Sequence, residues 1–270
     1  MNTQAADVAA DMTVTSRWSN AFPRLDVWVK ILAGLVILAA WQVGVAAFAP
    51  RFVAKPLGIV AAFPAVITDV AFLAAVANTL GAVLQGLSIA MVTGVIVGIA
   101  MGRVKVFDRL LNLYVNGLYA MPMVAVLPLL ATWFGYESNA RLATIIFAAF
   151  FSIVINARDG ARSVPLEYLE VAKSYRAKRR YVWFDITLHS SLPYLIAGIR
   201  LASGRALVGA VIAEFFVSLD GVGMYILAHA RSFKHNEAVV GVLALAAFGL
   251  FIEWTMNWVM RRFLPWARRS

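Results

Sequence analysis

Three ionisable side chains, Arg200, Arg205 and Glu214, stand inside a stretch that is otherwise apolar and rich in small residues. A charge in such a setting is costly to bury and marks a candidate pathway for an ion or solute. Two cations would suit an anionic cargo. At 100° per residue, Arg205 and Glu214 point to opposite faces of a helix. Arg200 and Glu214 face similarly but stand about 21 Å apart along the axis. No such pair can bridge within one straight helix, so each needs another helix, a cavity or the membrane interface. Arg200 is close enough to one end to snorkel, and Glu214 suits a solvated rim equally well. Arg205 lies deeper. It is expected to face a water-lined cavity or a carboxylate on another helix, for which only Glu214 and Glu253 are available. His229, His235 and Glu237 match no common metal-ligand spacing. The chain has no Gly-x4-Gly-Lys-Ser/Thr phosphate loop, no His-Glu-x-x-His and no Gly-x-Ser-x-Gly. With no cysteine there is no disulfide, Cys–zinc or thiol chemistry. No catalytic, cofactor-binding or metal-binding residue is expected in this chain.

A second group of candidates lies in a polar, basic run between apolar stretches, residues 158–190. Ser163 can cap a helix, and Pro165 suits its first turn. Glu167 and Glu170 fall early, where the helix dipole favours anions, and Lys173, Arg176 and Lys178 fall late, where it favours cations. Leu166, Leu169, Ala172 and Tyr175 follow a three-to-four spacing and form one apolar face. A short amphipathic helix is therefore expected. Its apolar face could grip a partner protein, or it could rest on a lipid surface with the help of Arg179, Arg180 and Trp183.

The elements that must position these residues are membrane helices. The 270-residue chain is 62% hydrophobic and only 14% charged, with a mean hydropathy of +0.79, far from the composition of a soluble domain. Nothing alternates as a membrane β-strand would. Six apolar stretches are long enough to cross a bilayer: near 27–49, 73–101, 110–133, 141–156, 192–216 and 238–260, the fourth being the shortest. The fold class is thus all-α, a polytopic bundle of about six transmembrane helices with a cytoplasmic loop over 158–190. The expected organisation is a tail over 1–26, without a signal peptide, a membrane domain over 27–262 and a second tail over 263–270. With both tails inside, only Arg51, Lys55, Arg141, Arg231 and Lys234 fall outside. Arg200 and Arg205 lie within the fifth span, and the rest of the 24 Lys and Arg fall inside, as the orientation rule requires. The net charge of +10 is accounted for by that rule rather than by nucleic-acid binding. The second span repeats small residues every fourth position at Gly86, Ala90, Gly94, Gly98 and Gly102, and the fifth does so at Gly198, Ala202, Ala206 and Ala210. Both predict close helix contacts. Pro122 and Pro128 predict a kink in the third span.

Glu170-Val171-Ala172, followed by Ile186 and Leu188, resembles the EAA loop of type I ABC-importer permeases, whose pattern runs Glu-Ala-Ala, three residues, Gly, nine residues, Ile-x-Leu-Pro. Arg176 stands where that pattern has Gly, and His189 where it has Pro. Leu192-Pro193 is similar to the nitrate/sulfonate/taurine subfamily. The resemblance extends through Leu127-Pro128-Leu129, Trp133-Phe134-Gly135, Asn156 to Pro165, Gly198-Ile199-Arg200-Leu201, Gly204-Arg205-Ala206, Ala213-Glu214 and Leu264-Pro265-Trp266. It implies an inner-membrane permease that works as a homodimer beside two ATPase subunits, which carry the ATP and Mg. It also implies an extracytoplasmic solute-binding protein that delivers the cargo. By the same resemblance Glu167, Glu170, Val171, Ala172, Ser174 and Arg176 would couple to the ATPase. A small anion such as a sulfonate, taurine or nitrate would be the cargo. A secondary transporter and a membrane-embedded enzyme are the rival readings.

Overall fold

The computed structural model describes residues 23–50, 52–217 and 220–263. Arg51, the Leu264-Pro265-Trp266 motif and most of the two expected tails lie outside the described residues. All regular structure among the described residues is helical.

The chain divides into two compact units at Ala61–Ala62. The first holds α1 (Pro23–Phe48), which begins one turn before the expected start at Val27. It also holds the first half of α2 (Pro56–Ile67), which runs across the division. Within this unit the Leu57 backbone N–H donates to the Gln42 side-chain oxygen at 3.2 Å.

The second unit begins with α3 (Val70–Arg103). Asp69 caps it by accepting from the Ala71 N–H at 3.0 Å, and no proline interrupts its 34 residues. Helices α4 (Lys105–Ala120), α5 (Met123–Phe134), α6 (Ser138–Arg162) and α7 (Leu166–Ser174) follow. Then comes α8, a continuous helix over Arg179–Val217 whose stretch Val182–Leu188 is wound as a π-helix. Helices α9 (Val222–Arg231) and α10 (His235–Phe263) close the unit. Among the described residues five helices are long and apolar enough to cross a membrane, or six if α4 and α5 count as one span.

That pair corrects the expected third span. Instead of a kinked helix over 110–133, α4 and α5 meet at 107°. The cause is local. A residue before proline is driven out of the α region, and Met121, before Pro122, sits at φ −68°, ψ 135°. Pro122 is extended too, at φ −62°, ψ 120°. Two successive extended residues end one helix and let the next start in a new direction. Pro128, by contrast, lies inside α5 without breaking it. The fourth span also differs: α6 has 25 residues where a short apolar run was expected. Arg158 and Arg162, beyond the expected end of the run, and Arg141, at its start, are all in ion pairs.

Helix α6 is the axis of the unit, packed between α3 and α8. Both small-residue faces are spent on it. A Cβ added at Gly98 would lie 2.5 Å from the Ala157 Cβ and from the Val154 carbonyl oxygen, and one at Gly102 would lie 2.6 Å from the Ala161 Cβ. On the other side, a Cβ at Gly198 would meet the Asn156 Cβ at 2.7 Å. Ala90, Ala202, Ala206 and Ala210 are completely buried, as are Ile145, Ala149 and Ile153 between them. In lipid the hydrophobic effect adds little between helices, so this close van der Waals contact is the main adhesive.

Candidate functional site

Helix α7 hangs between the ends of α6 and α8. Ser163 does not begin it, as the sequence suggested. Ser163 is the C-cap of α6, its hydroxyl donating to the Gly160 carbonyl at 2.9 Å. Pro165, the N-cap of α7, separates the two helices because it cannot continue α6. Of the expected apolar face only Ala172 is buried. Leu166 and Tyr175 are exposed, and so are Tyr168 and Val171. Glu167, Glu170 and Ser174 are exposed as well, and the Ser174 hydroxyl donates to the Glu170 carbonyl at 2.9 Å. The helix therefore presents bare apolar and acidic surface.

The end of α7 explains Arg176. The Arg176 N–H donates to the Lys173 carbonyl and the Ala177 N–H to the Ala172 carbonyl, at 3.0 and 2.9 Å. This pair of bonds defines a Schellman stop, which needs a left-handed residue at the position of Arg176. Arg176 has φ 49°. The turn for which the EAA pattern has Gly is thus formed here, by an arginine in a glycine conformation.

Asp108, a residue that no motif or spacing singled out, braces the base of this loop. It accepts from Arg158 and Arg162 at 2.5 Å each. These bonds tie the first turn of α4 to the last turns of α6, just before α7.

The three intramembrane charges have three different fates. Arg200 is neutralised: it pairs with Glu253 on α10 and donates to the Asn257 side chain at 3.3 Å. A tied cation need not snorkel.

Glu214 is not at a solvated rim. Its side chain is completely buried, accepting from the Thr79 hydroxyl at 2.7 Å and the Gly223 N–H at 2.8 Å. Arg141 approaches it at 3.5 Å and donates to the Asp220 carbonyl at 3.2 Å. Thr79 in turn accepts from the Val222 N–H at 2.9 Å. The carboxylate thus binds α3, α6 and the start of α9 to α8. Gly221 and Gly223 are required there, because a Cβ at either would strike the Glu214 side chain. Thr79 lies 135 residues from Glu214, so no local pattern could have announced the cluster.

Arg205 stays free of acids. Its guanidinium lies 3.9 Å from the centre of the Tyr119 ring, and both side chains are half-buried. They share a cavity of about 630 Å³ whose wall includes Met121, Phe147, Leu201 and Val208. Glu253, one of its two expected partners, is taken by Arg200, and Glu214 is held in its own cluster.

The family pattern described as binding-protein-dependent transport system inner membrane component matches residues 90–269. The chain belongs to that family. The match takes in α7, the whole of α8 and all three intramembrane charges. Among similar proteins is the putative aliphatic sulfonates transport permease protein of Bacillus subtilis (strain 168), 30% identical over 243 residues, or 88% of either chain. The bicarbonate transport system permease protein of Synechococcus elongatus (strain ATCC 33912 / PCC 7942 / FACHB-805) is 28% identical over 184 residues, 66% of either chain. The taurine transport system permease protein of Escherichia coli (strain K12) is 26% identical over 190 residues, 70% of this chain and 69% of its own. This permease is accordingly a multi-pass inner-membrane transport subunit of an ABC importer, not an enzyme in its own right.

Proposed function

We propose that two copies of this permease form the translocation pathway of an ATP-driven importer for a small anion, and that α7 is where the driving force enters. An extracytoplasmic binding protein delivers the cargo. Two ATPase subunits hold the ATP and Mg. When they close on ATP they draw the two α7 helices together, and the bundles turn from inward-open to outward-open. Both termini and the α7 loop lie in the cytoplasm, in keeping with the distribution of basic residues. An anion is the cargo class because three of the similar permeases are described for bicarbonate, aliphatic sulfonates and taurine, although another is described for formylaminopyrimidine. Nitrate belongs to the same chemical class.

The observation that carries this reading is the bare surface of α7, with Tyr168 and Val171 more than half exposed beside Glu167 and Glu170. A membrane surface would favour cations on a helix resting there, whereas this helix shows two carboxylates next to its apolar residues. A protein cleft with basic and apolar walls fits it better. Of the pathway candidates, Arg205 alone keeps a free charge. Arg200 and Glu214 serve the assembly of the bundle.

The test is ATP-driven uptake by the permease and its ATPase reconstituted with the binding protein in proteoliposomes. Glu170→Arg should cut uptake at least tenfold while leaving thermal stability and insertion unchanged. Normal uptake and normal ATPase assembly in that variant would refute the docking role of α7.

A further inference from the structure

Arg205 stands twelve residues before the end of α8 at Val217, about 18 Å along the axis, and falls near the middle of the apolar stretch 192–216, which has the length to cross a hydrocarbon layer some 30 Å thick. A charge at that depth costs at least about 2.5 kcal/mol even on the lenient insertion scale. Proteins lower such a cost with a counter-charge or with several hydrogen bonds. Arg200 and Glu214 both have that provision. Arg205 does not: among the described residues no carboxylate pairs with it and no group accepts a hydrogen bond from it. Its one partner is the Tyr119 ring, which covers a face of the guanidinium and leaves the N–H donors in its plane uncommitted.

The surroundings say what would complete it. The cavity, about 630 Å³, lies within the roughly 300–1,000 Å³ usual for small-molecule sites. Its wall is mostly apolar, with Met121 and Leu118 supplied by the broken end of α4 and Leu201 and Val208 by α8. A bare inorganic anion would satisfy the guanidinium and leave those side chains unused. A headgroup with two coplanar acceptor oxygens matches the guanidinium fork, and a short hydrocarbon substituent matches the walls.

We propose that Arg205 and Tyr119 form the anion subsite of the pathway, selective for a singly charged organic oxyanion with a short apolar substituent. The inference rests on the permease reading above and goes beyond it by naming the cargo's shape. The same chemistry occurs in anionic lipids, but a lipid headgroup lies at the membrane surface and Arg205 lies near mid-depth.

Binding is separable from transport, and the two are measured separately. The purified permease–ATPase complex is placed in phosphatidylcholine nanodiscs and titrated with 1-pentanesulfonate or nitrate, with thermal stabilisation as the readout. The wild type should be stabilised saturably, with pentanesulfonate effective at concentrations at least tenfold below nitrate. Arg205→Gln should raise the half-saturating concentration at least tenfold, and Arg205→Lys should restore part of it. Gly204→Leu is the control for folding: an added Cβ there meets nothing within 4 Å, and Gly204 is part of the cavity wall. It should keep the unliganded melting temperature and lose the response to pentanesulfonate. The proposal is overturned by an unsaturable wild-type response, by equal potency of nitrate, or by an unchanged response in Arg205→Gln or Gly204→Leu. It is also overturned if adding phosphatidylglycerol to the nanodiscs abolishes the response, which would make this a lipid site. Should binding behave as expected while ATP-driven uptake is absent, the subsite stands and the importer reading falls.

Discussion

Arg176 holds a backbone conformation that an L-residue enters at a cost of about 1 kcal/mol, because its Cβ crowds the following carbonyl. Glycine has no such penalty. Arg176→Gly should therefore stabilise the end of α7 by about 1 kcal/mol and slow hydrogen exchange of the Ala177 amide about fivefold. Arg176→Val should speed it, since a β-branched residue is worse still in the left-handed region. The same position shows how far the sequence could be read at this scale. The departure from the EAA pattern is visible in the letters, whereas the survival of the turn is a matter of two backbone hydrogen bonds, which no side chain encodes. Glu214 shows the opposite limit. As a carboxylate in an apolar run it stands out at once. Its partners are brought to it from α3, α6 and the start of α9, so its burial could not be inferred from its neighbours in sequence.

Among the elements, α3, α6 and α8 owe their contact to the absence of side chains. Gly98 lies 2.5 Å, measured from an added Cβ, from a carbonyl oxygen of α6, whereas the tightest neighbours of Gly94 are side-chain atoms of Ile153 at 3.0 Å. Backbone yields less readily than an isoleucine rotamer. Gly98→Ala should lower the melting temperature in detergent clearly, by the equivalent of about 1–3 kcal/mol for an overpacked core, and Gly94→Ala should do so less. Gly117→Ala, with open space around it, should be neutral or slightly stabilising through helix propensity. Equal effects at all three positions would mean that α3 does not press on α6. The fourfold spacing made both close-packing faces legible, because that spacing is the helical repeat itself. The break between α4 and α5 was not legible in the same way. Hydropathy records how apolar a stretch is and says nothing about its direction, and of the two prolines there only Pro122 has an extended residue on its amino side.

For the molecule as a whole, the apolar runs disclosed the all-helical membrane architecture, since length and composition together suffice for that. Orientation follows from the basic residues and is open to a direct check. Epitope tags at either end, and one after Arg179, should be protected from protease in right-side-out vesicles, while one at Ser232 should be cleaved. An exposed tag after Arg179 would invert the whole arrangement.

Helix α8 joins two places that have so far been treated apart. It starts at Arg179, directly after the α7 loop, and Glu214 lies in its last turn. As an unbroken rod of 39 residues it measures roughly 58 Å, and the crowded contact with α6 around Gly198 and Ala202 lies between its ends. Such a rod behaves as a lever with a fulcrum. A tilt of roughly 5° displaces each end by two to three ångströms, on the geometry of a straight helix. Hydrogen bonds of 2.7–2.8 Å to Glu214 do not survive that stretch. A tilt imposed at the α7 end therefore reaches the polar cluster at the other end unless it is absorbed at the two places where this helix departs from regular winding, the π-wound stretch Val182–Leu188 and Pro193.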